Sequence, residues 1–146
     1  MKQTVTRQDV SLAIAELMPN IMRGVQLDFF VKHGVTQTQF LLIMAIQAYR
    51  RCTMSTLARN LHVSMPTATG VVARMVRAGY VRRVEDPEDR RQVVVELTPK
   101  AQRFIQDFQA VIRHRWEEVL QSLDSAELQT FHAVLSRLRE HLQRVS

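Results

Sequence analysis

Hydrophobic residues recur at three- and four-residue steps over most of this chain, a pattern typical of α-helices that bury one face. Between residues 9 and 34 the apolar positions that follow this period are Val10, Ile14, Leu17, Ile21 and Phe29. Pro19 interrupts the run, so we expect it either to kink one helix or to begin a second. Gly34 is a plausible end to the helical stretch, because glycine adopts the backbone conformation that commonly follows a helix.

The last third of the chain shows the same helical period. Thr98 and Pro99 are expected to begin one long helix, and Asp124 with Glu127 forms an acidic capping box that begins another. The final helix carries an apolar stripe of Leu128, Phe131, Leu135, Leu138, Leu142 and Val145. A small central module cannot cover such stripes, so helices within 9–34 and 98–146 are expected to form a homodimer. The alternative is that these helices fold back on their own subunit.

The middle third predicts three shorter helices. Thr36 and Gln39 form a capping box that begins the first, which is expected to run to about Tyr49. A short helix follows, and residues 62–63 form the turn that leads to the third helix. Ser64 suits the N-cap of that third helix, which is expected to end just before Gly79.

The third of these helices has two faces of different chemistry. The inward stripe is expected to contain Ala68, Val72, Met75 and Val76. The opposite face has small residues near its amino end, which would allow close approach to DNA, and arginines further along that can contact phosphates or a guanine edge. The candidate DNA-binding residues are Ser64, Pro66, Thr67, Gly70, Arg74 and Arg77. The alternative is a helix face that contacts only water.

Residues 81–97 predict a β-hairpin, because Val81 and Val84 precede a turn-forming segment and apolar residues alternate after it. The alternating positions are Val93, Val95 and Leu97. Residues 86–89 suit the turn, which places Arg90 and Arg91 near a narrow tip that can enter a minor groove. Asp89 could hold Arg91 extended through an ion pair. The alternative is a charge-rich loop whose weak salt bridges only maintain solubility.

The composition is that of a basic globular domain. The chain has 146 residues, enough for one domain, and a net charge of +6, which favours a polyanionic partner. No apolar run reaches the ~18 residues of a membrane span, and the polar amino terminus lacks a signal-peptide core. We therefore expect a cytoplasmic protein that has no membrane partner.

Catalytic and metal-binding motifs are lacking in the sequence. The single cysteine, Cys52, cannot form an intramolecular disulfide and is expected to be a buried apolar residue rather than a redox sensor. The five histidines show no spacing typical of a metal site, and neither a nucleophile elbow nor a phosphate-binding loop occurs. The sequence predicts no enzyme activity, metal or cofactor.

The region from about residue 53 to 99 resembles the winged helix-turn-helix of the MarR family of bacterial transcriptional regulators. The motif is Asp86-Pro87-Glu88-Asp89-Arg90-Arg91, followed by Leu97-Thr98. The flanking helices are similar to those of the family, so the resemblance covers nearly the whole chain. One departure is the strand that starts at Gln92, which lacks the basic residue often found there.

The resemblance implies a mainly α fold with a small β-wing, in which residues 36–97 bind DNA and the outer helices dimerise. The helix from Ser64 to Arg77 would bind double-stranded DNA in the major groove. Arg91 would enter the minor groove, and Asp89 would brace it. A cleft beside the DNA-binding region would accept a small aromatic or phenolic effector, with candidate lining residues Met22, Phe29, Met44 and Trp116. For each of these four residues, a place in the core is the alternative.

These features together predict a sequence-specific regulator, a repressor that binds a palindromic operator as a homodimer and is released by an aromatic effector. Repression and effector control are implied by the resemblance alone. One alternative is an effector-independent regulator or activator. A second is a winged-helix adapter that binds proteins rather than DNA, and the basic hairpin argues against it.

Overall fold

The computed structural model describes residues 4–23, 25–49 and 52–145. The elements of this described part are α1 (Arg7–Met22), α2 (Val25–His33), α3 (Gln37–Ala48), α4 (Met54–Asn60), α5 (Met65–Arg77), β1 (Val81–Glu85), β2 (Val93–Leu97), α6 (Pro99–Leu120) and α7 (Ser125–Val145). The predicted mainly helical fold with a small β-wing is confirmed. None of the helices in these ranges combines the length and hydropathy that crossing a membrane requires.

The chain divides into two compact units. Residues 22–110 form the central unit, and residues 1–21 together with 111–146 form the terminal unit. The helix α6 contributes its first half to the central unit and its second half to the terminal unit. The assignment of 9–34 and 98–146 to dimerisation and of 36–97 to DNA binding stays a prediction, because packing within one subunit does not test it.

The core of the central unit lies where α3, α4 and α5 meet the hairpin. Its largest fully buried side chains are Leu42, Ile43, Leu57, Val72, Met75 and Val95. Each such side chain stabilises the fold by roughly 1.5–3 kcal/mol relative to exposure. An aromatic cluster extends this core, with Phe29 5.1 Å from Phe104 and 5.4 Å from Phe108 between ring centroids.

The predicted helix starts at α3 and α7 are confirmed by reciprocal capping hydrogen bonds. The backbone N–H of Thr36 donates to the Gln39 side chain at 2.9 Å, and the N–H of Gln39 donates to the Thr36 hydroxyl at 3.3 Å. In α7 the Asp124 carboxylate accepts from the N–H of Glu127 at 2.9 Å, and the Glu127 carboxylate accepts from the N–H of Asp124 at 2.9 Å. Local sequence therefore determines where these helices begin.

The second helix begins at Val25, not at Pro19. The first helix continues past Pro19, which lies inside it, and ends at Met22. A proline in a helix removes one backbone donor but does not by itself end the helix. Of the two expectations for Pro19, the one in which it begins a second helix is therefore wrong.

The hairpin is confirmed, with antiparallel register that pairs Val81 with Leu97 and Glu85 with Val93. The alternation predicted for β2 is wrong: Val93 is 45% exposed, whereas Val94 and Val95 are both buried. The reason is that β2 has a second neighbour. The N–H of Val95 donates to the carbonyl oxygen of Cys52 at 2.8 Å, and α3 also packs against this strand. The consecutive residues Val94 and Val95 of β2 are therefore both shielded from solvent.

Candidate nucleic-acid interface

The helix α5 packs on the central unit through a narrow apolar row. Its buried residues are Ala68, Val71, Val72 and Met75. The prediction that Val76 points inward is wrong, since that side chain is 40% exposed. A helix turns 100° per residue, so positions 68, 71, 72 and 75 form the i, i+3, i+4, i+7 row, and Val76 lies on its flank.

The opposite face of α5 is accessible along its length. All six candidate residues on or beside this helix are exposed, namely Ser64, Pro66, Thr67, Gly70, Arg74 and Arg77. A Cβ atom at Gly70 would have no neighbour within 4 Å. Thr69 and Ala73 lie on the same face of α5. The sequence prediction did not include them, although their spacing from Gly70 along the helix places them on this face. The small residues leave the helix backbone open to close approach.

The turn between α4 and α5 holds an unusual backbone conformation. His62 has a φ of 51°, in the left-handed region that few residues other than glycine adopt. The N–H of Val63 donates to the carbonyl oxygen of Ala58 at 3.0 Å, which closes the turn over the end of α4. The turn was predicted from sequence, but its left-handed residue was not. Together with the Ser64 cap, it sets where α5 begins relative to α4.

The carboxyl end of α5 is tied to the start of α6. The Thr98 hydroxyl donates to the Gly79 carbonyl oxygen at 2.6 Å, and the Lys100 ammonium donates to the Ala78 carbonyl oxygen at 2.8 Å. The same ammonium lies 4.5 Å from the centre of the Tyr80 ring, a cation–π contact. Burial raises the pKa of the Tyr80 phenol above its ordinary value. These contacts hold residues 78–80, which follow α5, against the start of α6.

The tip of the hairpin is folded by two aspartates. The Asp86 carboxylate, 1% exposed, accepts from the N–H of Glu88 at 2.9 Å. The Asp89 carboxylate accepts from the N–H of Arg91 at 3.0 Å and from the side-chain amide of Gln92 at 3.1 Å. Both are turns in which an aspartate bonds the backbone two residues later. The tip is therefore ordered by local hydrogen bonds.

Asp89 braces Arg91 through its backbone and not through an ion pair, so the predicted ion pair is wrong. Within the described ranges, the guanidinium groups of Arg83, Arg90 and Arg91 have no carboxylate within ion-pair distance. Arg82 differs, because its Nε and Nη2 donate to one oxygen of Glu96 at 3.1 and 2.8 Å. Three arginines of the hairpin are thus exposed without an ion pair in the described ranges, on a segment that also carries several carboxylates.

Sequence comparison relates the central part of the chain to a known family. The sequence model of the MarR family matches residues 35–93, from the segment before α3 to the first residue of β2. The uncharacterized HTH-type transcriptional regulator YsmB of Bacillus subtilis is 26% identical over 113 residues, which cover 77% of each chain. The matched region is thus similar to the MarR family, and the relative is named as a transcriptional regulator.

Solved structures show that this chain shares its fold with proteins described as transcriptional regulators. The crystal structure of transcriptional regulator Tm0710 from Thermotoga maritima superimposes with a TM-score of 0.80 at 22% identity, covering 94% of this chain and 96% of that one. MepR of S. aureus, solved bound to an oligodeoxyribonucleotide, has a TM-score of 0.65 at 16% identity and covers 95% and 99% of the two chains. MepR has also been solved bound to ethidium bromide, with a TM-score of 0.62 at 18% identity and coverage of 94% and 97%.

The four candidate effector residues have different surroundings. Phe29 is buried in the aromatic cluster with Phe104 and Phe108, which gives it a structural role. Met22 and Met44 are partly exposed in the central unit, and Trp116 is partly exposed in the terminal unit. In the central unit, a cavity of about 730 Å³ is lined by other residues, including Tyr49, Cys52, Arg82 and Glu96. A shared effector site stays a prediction.

Cys52 is 3% exposed, which confirms the prediction that it is buried. Burial raises the pKa of its thiol from 9.0 to about 11. Thiolate is the reactive form of cysteine, so this environment suppresses reaction with oxidants. Among the described residues, no three histidine, cysteine, aspartate or glutamate side chains are placed to hold a metal ion.

Proposed function

We propose that this protein is a DNA-binding transcriptional regulator of the MarR family, which represses transcription by binding a palindromic operator as a homodimer. The helix α5 would occupy a major groove, with Arg74 and Arg77 on phosphates or a guanine edge, and the wing tip would enter the adjoining minor groove through Arg91. One observation carries this proposal: the exposed face of α5 and the hairpin tip both present arginines without a carboxylate partner in the described part of the chain.

The homodimer is supported by apolar side chains that the terminal unit leaves in water. On α1 and α7 these exposed residues include Val10, Leu12, Ile14, Val134, Leu135 and Leu138. Burial of apolar area contributes about 25 cal/mol per Å², so a second copy that covered both helices would be stabilised. Two identical DNA-binding units related by a two-fold axis match a palindrome whose half-sites are roughly 34–36 Å apart.

Release by a small aromatic effector is the regulatory part of the proposal. The ethidium complex of MepR supports it, as do Met22 and Met44, because methionine repacks readily around ligands of different shape. Such an effector must bind the released state more tightly than the DNA-bound state. An effector with equal affinity for both states would not shift the equilibrium between them.

DNA recognition is tested in two steps. The purified protein is first used to retain genomic fragments, and the retained site is then titrated with protein at rising salt concentration. We expect specific binding whose affinity falls steeply with salt, because arginines displace counterions from phosphates. Arg74→Ala should weaken binding to all sequences about equally and flatten the salt slope by about one unit. A protein-binding adapter would bind no duplex at any salt concentration.

Titration of salicylate and a panel of other small aromatics against the protein–operator complex tests the effector. We expect release of DNA and a higher thermal midpoint of the free protein. A panel that leaves operator affinity unchanged would identify an effector-independent regulator instead. Transcription from the retained promoter in vitro distinguishes the remaining alternative, an activator, because a repressor lowers the transcript yield.

A further inference from the structure

The turn that leads into α5 is closed by backbone hydrogen bonds. The N–H of His62 donates to the carbonyl oxygen of Arg59 at 3.2 Å, and the N–H of Val63 donates to that of Ala58 at 3.0 Å. These two bonds form a motif that commonly ends a helix, and its left-handed position, here His62, is usually occupied by glycine. The turn therefore does not require the side chain of His62.

Histidine in this backbone conformation has an energetic cost. The φ of His62 is 51°. Histidine adopts left-handed backbone more often than most residues do, but its Cβ atom still crowds the backbone, whereas glycine has no Cβ. Strained residues of this kind are concentrated at functional sites, where a use for the side chain offsets the strain. A role for the imidazole would explain why this chain has histidine here.

The imidazole of His62 is available to a partner. The residue is exposed, and among the residues that the structure describes its ring takes part in no hydrogen bond, ion pair or ring contact. His33 differs, because its ring lies 4.3 Å from that of Phe29 between centroids. No contact in the described part of the subunit accounts for the imidazole at position 62.

The position of His62 beside α5 indicates what its imidazole binds. The Cα atom of His62 lies within about 7 Å of that of Ser64, the N-cap of α5, because the two residues are two positions apart. In a helix-turn-helix, the amino end of the second helix contacts base edges in the major groove, which is about 12 Å wide and bordered by phosphates. An exposed side chain just before that helix lies near this border. Phosphate oxygens accept hydrogen bonds, and the imidazole carries an N–H donor.

We propose that His62 donates a hydrogen bond to one phosphate of the DNA backbone at the place where α5 enters the major groove. The contact helps to position α5 on the duplex and carries no sequence information of its own. This inference rests on the proposed placement of α5 in the groove. It adds to the interface a residue of the turn, outside both the helix and the wing.

The primary test is a pair of substitutions at position 62. His62→Gly removes both the imidazole and the strain, so the thermal midpoint should rise by about 2–4 °C while operator affinity, measured by fluorescence anisotropy, should fall about three- to ten-fold. His62→Asn tolerates left-handed backbone but has a shorter side chain, so it should lose affinity to a similar extent at a thermal midpoint close to the native value. His132→Asn, at an exposed histidine of α7, is the matched control and should leave affinity unchanged.

Operators with single uncharged linkages identify the phosphate. Each phosphate is replaced in turn, in both half-sites, by a methylphosphonate, which removes its negative charge. At one position the native protein should lose about three- to ten-fold in affinity and His62→Asn less than about two-fold, because the variant has already lost that contact. At the other contacted phosphates the native protein and the variant should lose affinity equally.

Three results would overturn the proposal. They are native operator affinity in both variants at position 62, equal losses for native protein and His62→Asn at every phosphate, and a thermal midpoint of His62→Gly below the native value. The last result would show that the imidazole stabilises the fold. A native protein that binds its operator while the variants at position 62 bind equally well refutes this inference alone. A native protein that binds no duplex refutes the proposed function together with it.

Discussion

The Lys100 ammonium donates a hydrogen bond to the Ala78 carbonyl oxygen at 2.8 Å, which joins the first turn of α6 to the end of α5. A cation at the carboxyl end of a helix also interacts favourably with the partial negative charge of the terminal carbonyl groups. The ring of Tyr80 beneath the ammonium adds a cation–π contact at 4.5 Å. One side chain thus links the two helices on either side of the wing.

Lys100→Met should lower the free energy of unfolding by about 1 kcal/mol, because it removes the hydrogen bond and the cation–π contact but keeps the apolar stem. Urea denaturation followed by circular dichroism measures this difference. Lys100→Arg, which retains the charge, should lose less than half as much. Equal stability of the native and methionine proteins would show that this contact contributes nothing.

Gly70→Ala should affect stability and DNA binding in opposite directions. A Cβ at this position meets open space, so alanine should stabilise the interior of α5 by about 0.5–1 kcal/mol. On DNA the same methyl group would intrude between helix and groove and weaken operator binding by about 1 kcal/mol or more. Denaturation and anisotropy measurements on the same variant provide both values.

Gly79→Ala is the contrasting variant. Its φ of 77° lies in the left-handed region, so alanine there should destabilise the protein by about 1 kcal/mol. A Gly70→Ala protein that is more stable and binds the operator as well as the native protein would remove the exposed face of α5 from the interface.

Arg91→Ala should weaken operator binding by about 1–3 kcal/mol while the fold is kept, if its guanidinium contacts the minor groove. Arg82→Ala is the matched control on the same hairpin, because Arg82 is already paired with Glu96. We expect the control to lose well under half as much, as measured by anisotropy. Similar losses for the two variants would argue for general electrostatic attraction rather than a specific wing contact.

The thiol of Cys52 should make stability decrease at alkaline pH. Its pKa is about 11 in the folded protein and 9.0 ordinarily, so the unfolded chain releases the proton first. The contribution of the protonated thiol to the free energy of unfolding is complete below pH 9 and is lost as the pH rises towards 11. The free energy of unfolding, measured from pH 7 to 10.5, should fall more steeply for the native protein than for Cys52→Ala. Identical slopes would mean that the thiol is not desolvated.

Leu138→Arg should convert the proposed dimer to a monomer, because it places a charge in the apolar face of α7 that a second copy would cover. Leu41→Arg, on α3 of the central unit, is a control of equal exposure: the two leucines are 50% and 49% exposed. Sedimentation velocity should show monomer for the first variant and dimer for the second. A stable dimer of Leu138→Arg would place the interface elsewhere.

Much of this fold could be predicted because its determinants are local. The capping boxes at Thr36 and Asp124, the cap at Ser64 and the turn before Arg90 each depend on residues within three or four positions of one another. The sequence carries such signals completely, because both partners of each hydrogen bond lie in one short segment. The family motif in the hairpin then indicated DNA binding, which the comparisons support.

Tertiary structure alone decided which residues share an environment across the chain. Val94 is buried because residues 52–53 pair with β2, and no local pattern shows that pairing. The bond from Lys100 to Ala78 spans 22 residues, and burial of Cys52 depends on several elements at once. At the wing, the sequence places Asp89 near both Arg91 and Gln92, but only the structure shows that it bonds the backbone of the first and the side chain of the second. The hydrophobic period and the spacing of residues specify where a residue lies on a helix or strand. Its contacts depend on how the helices and strands pack and on where the side chains point.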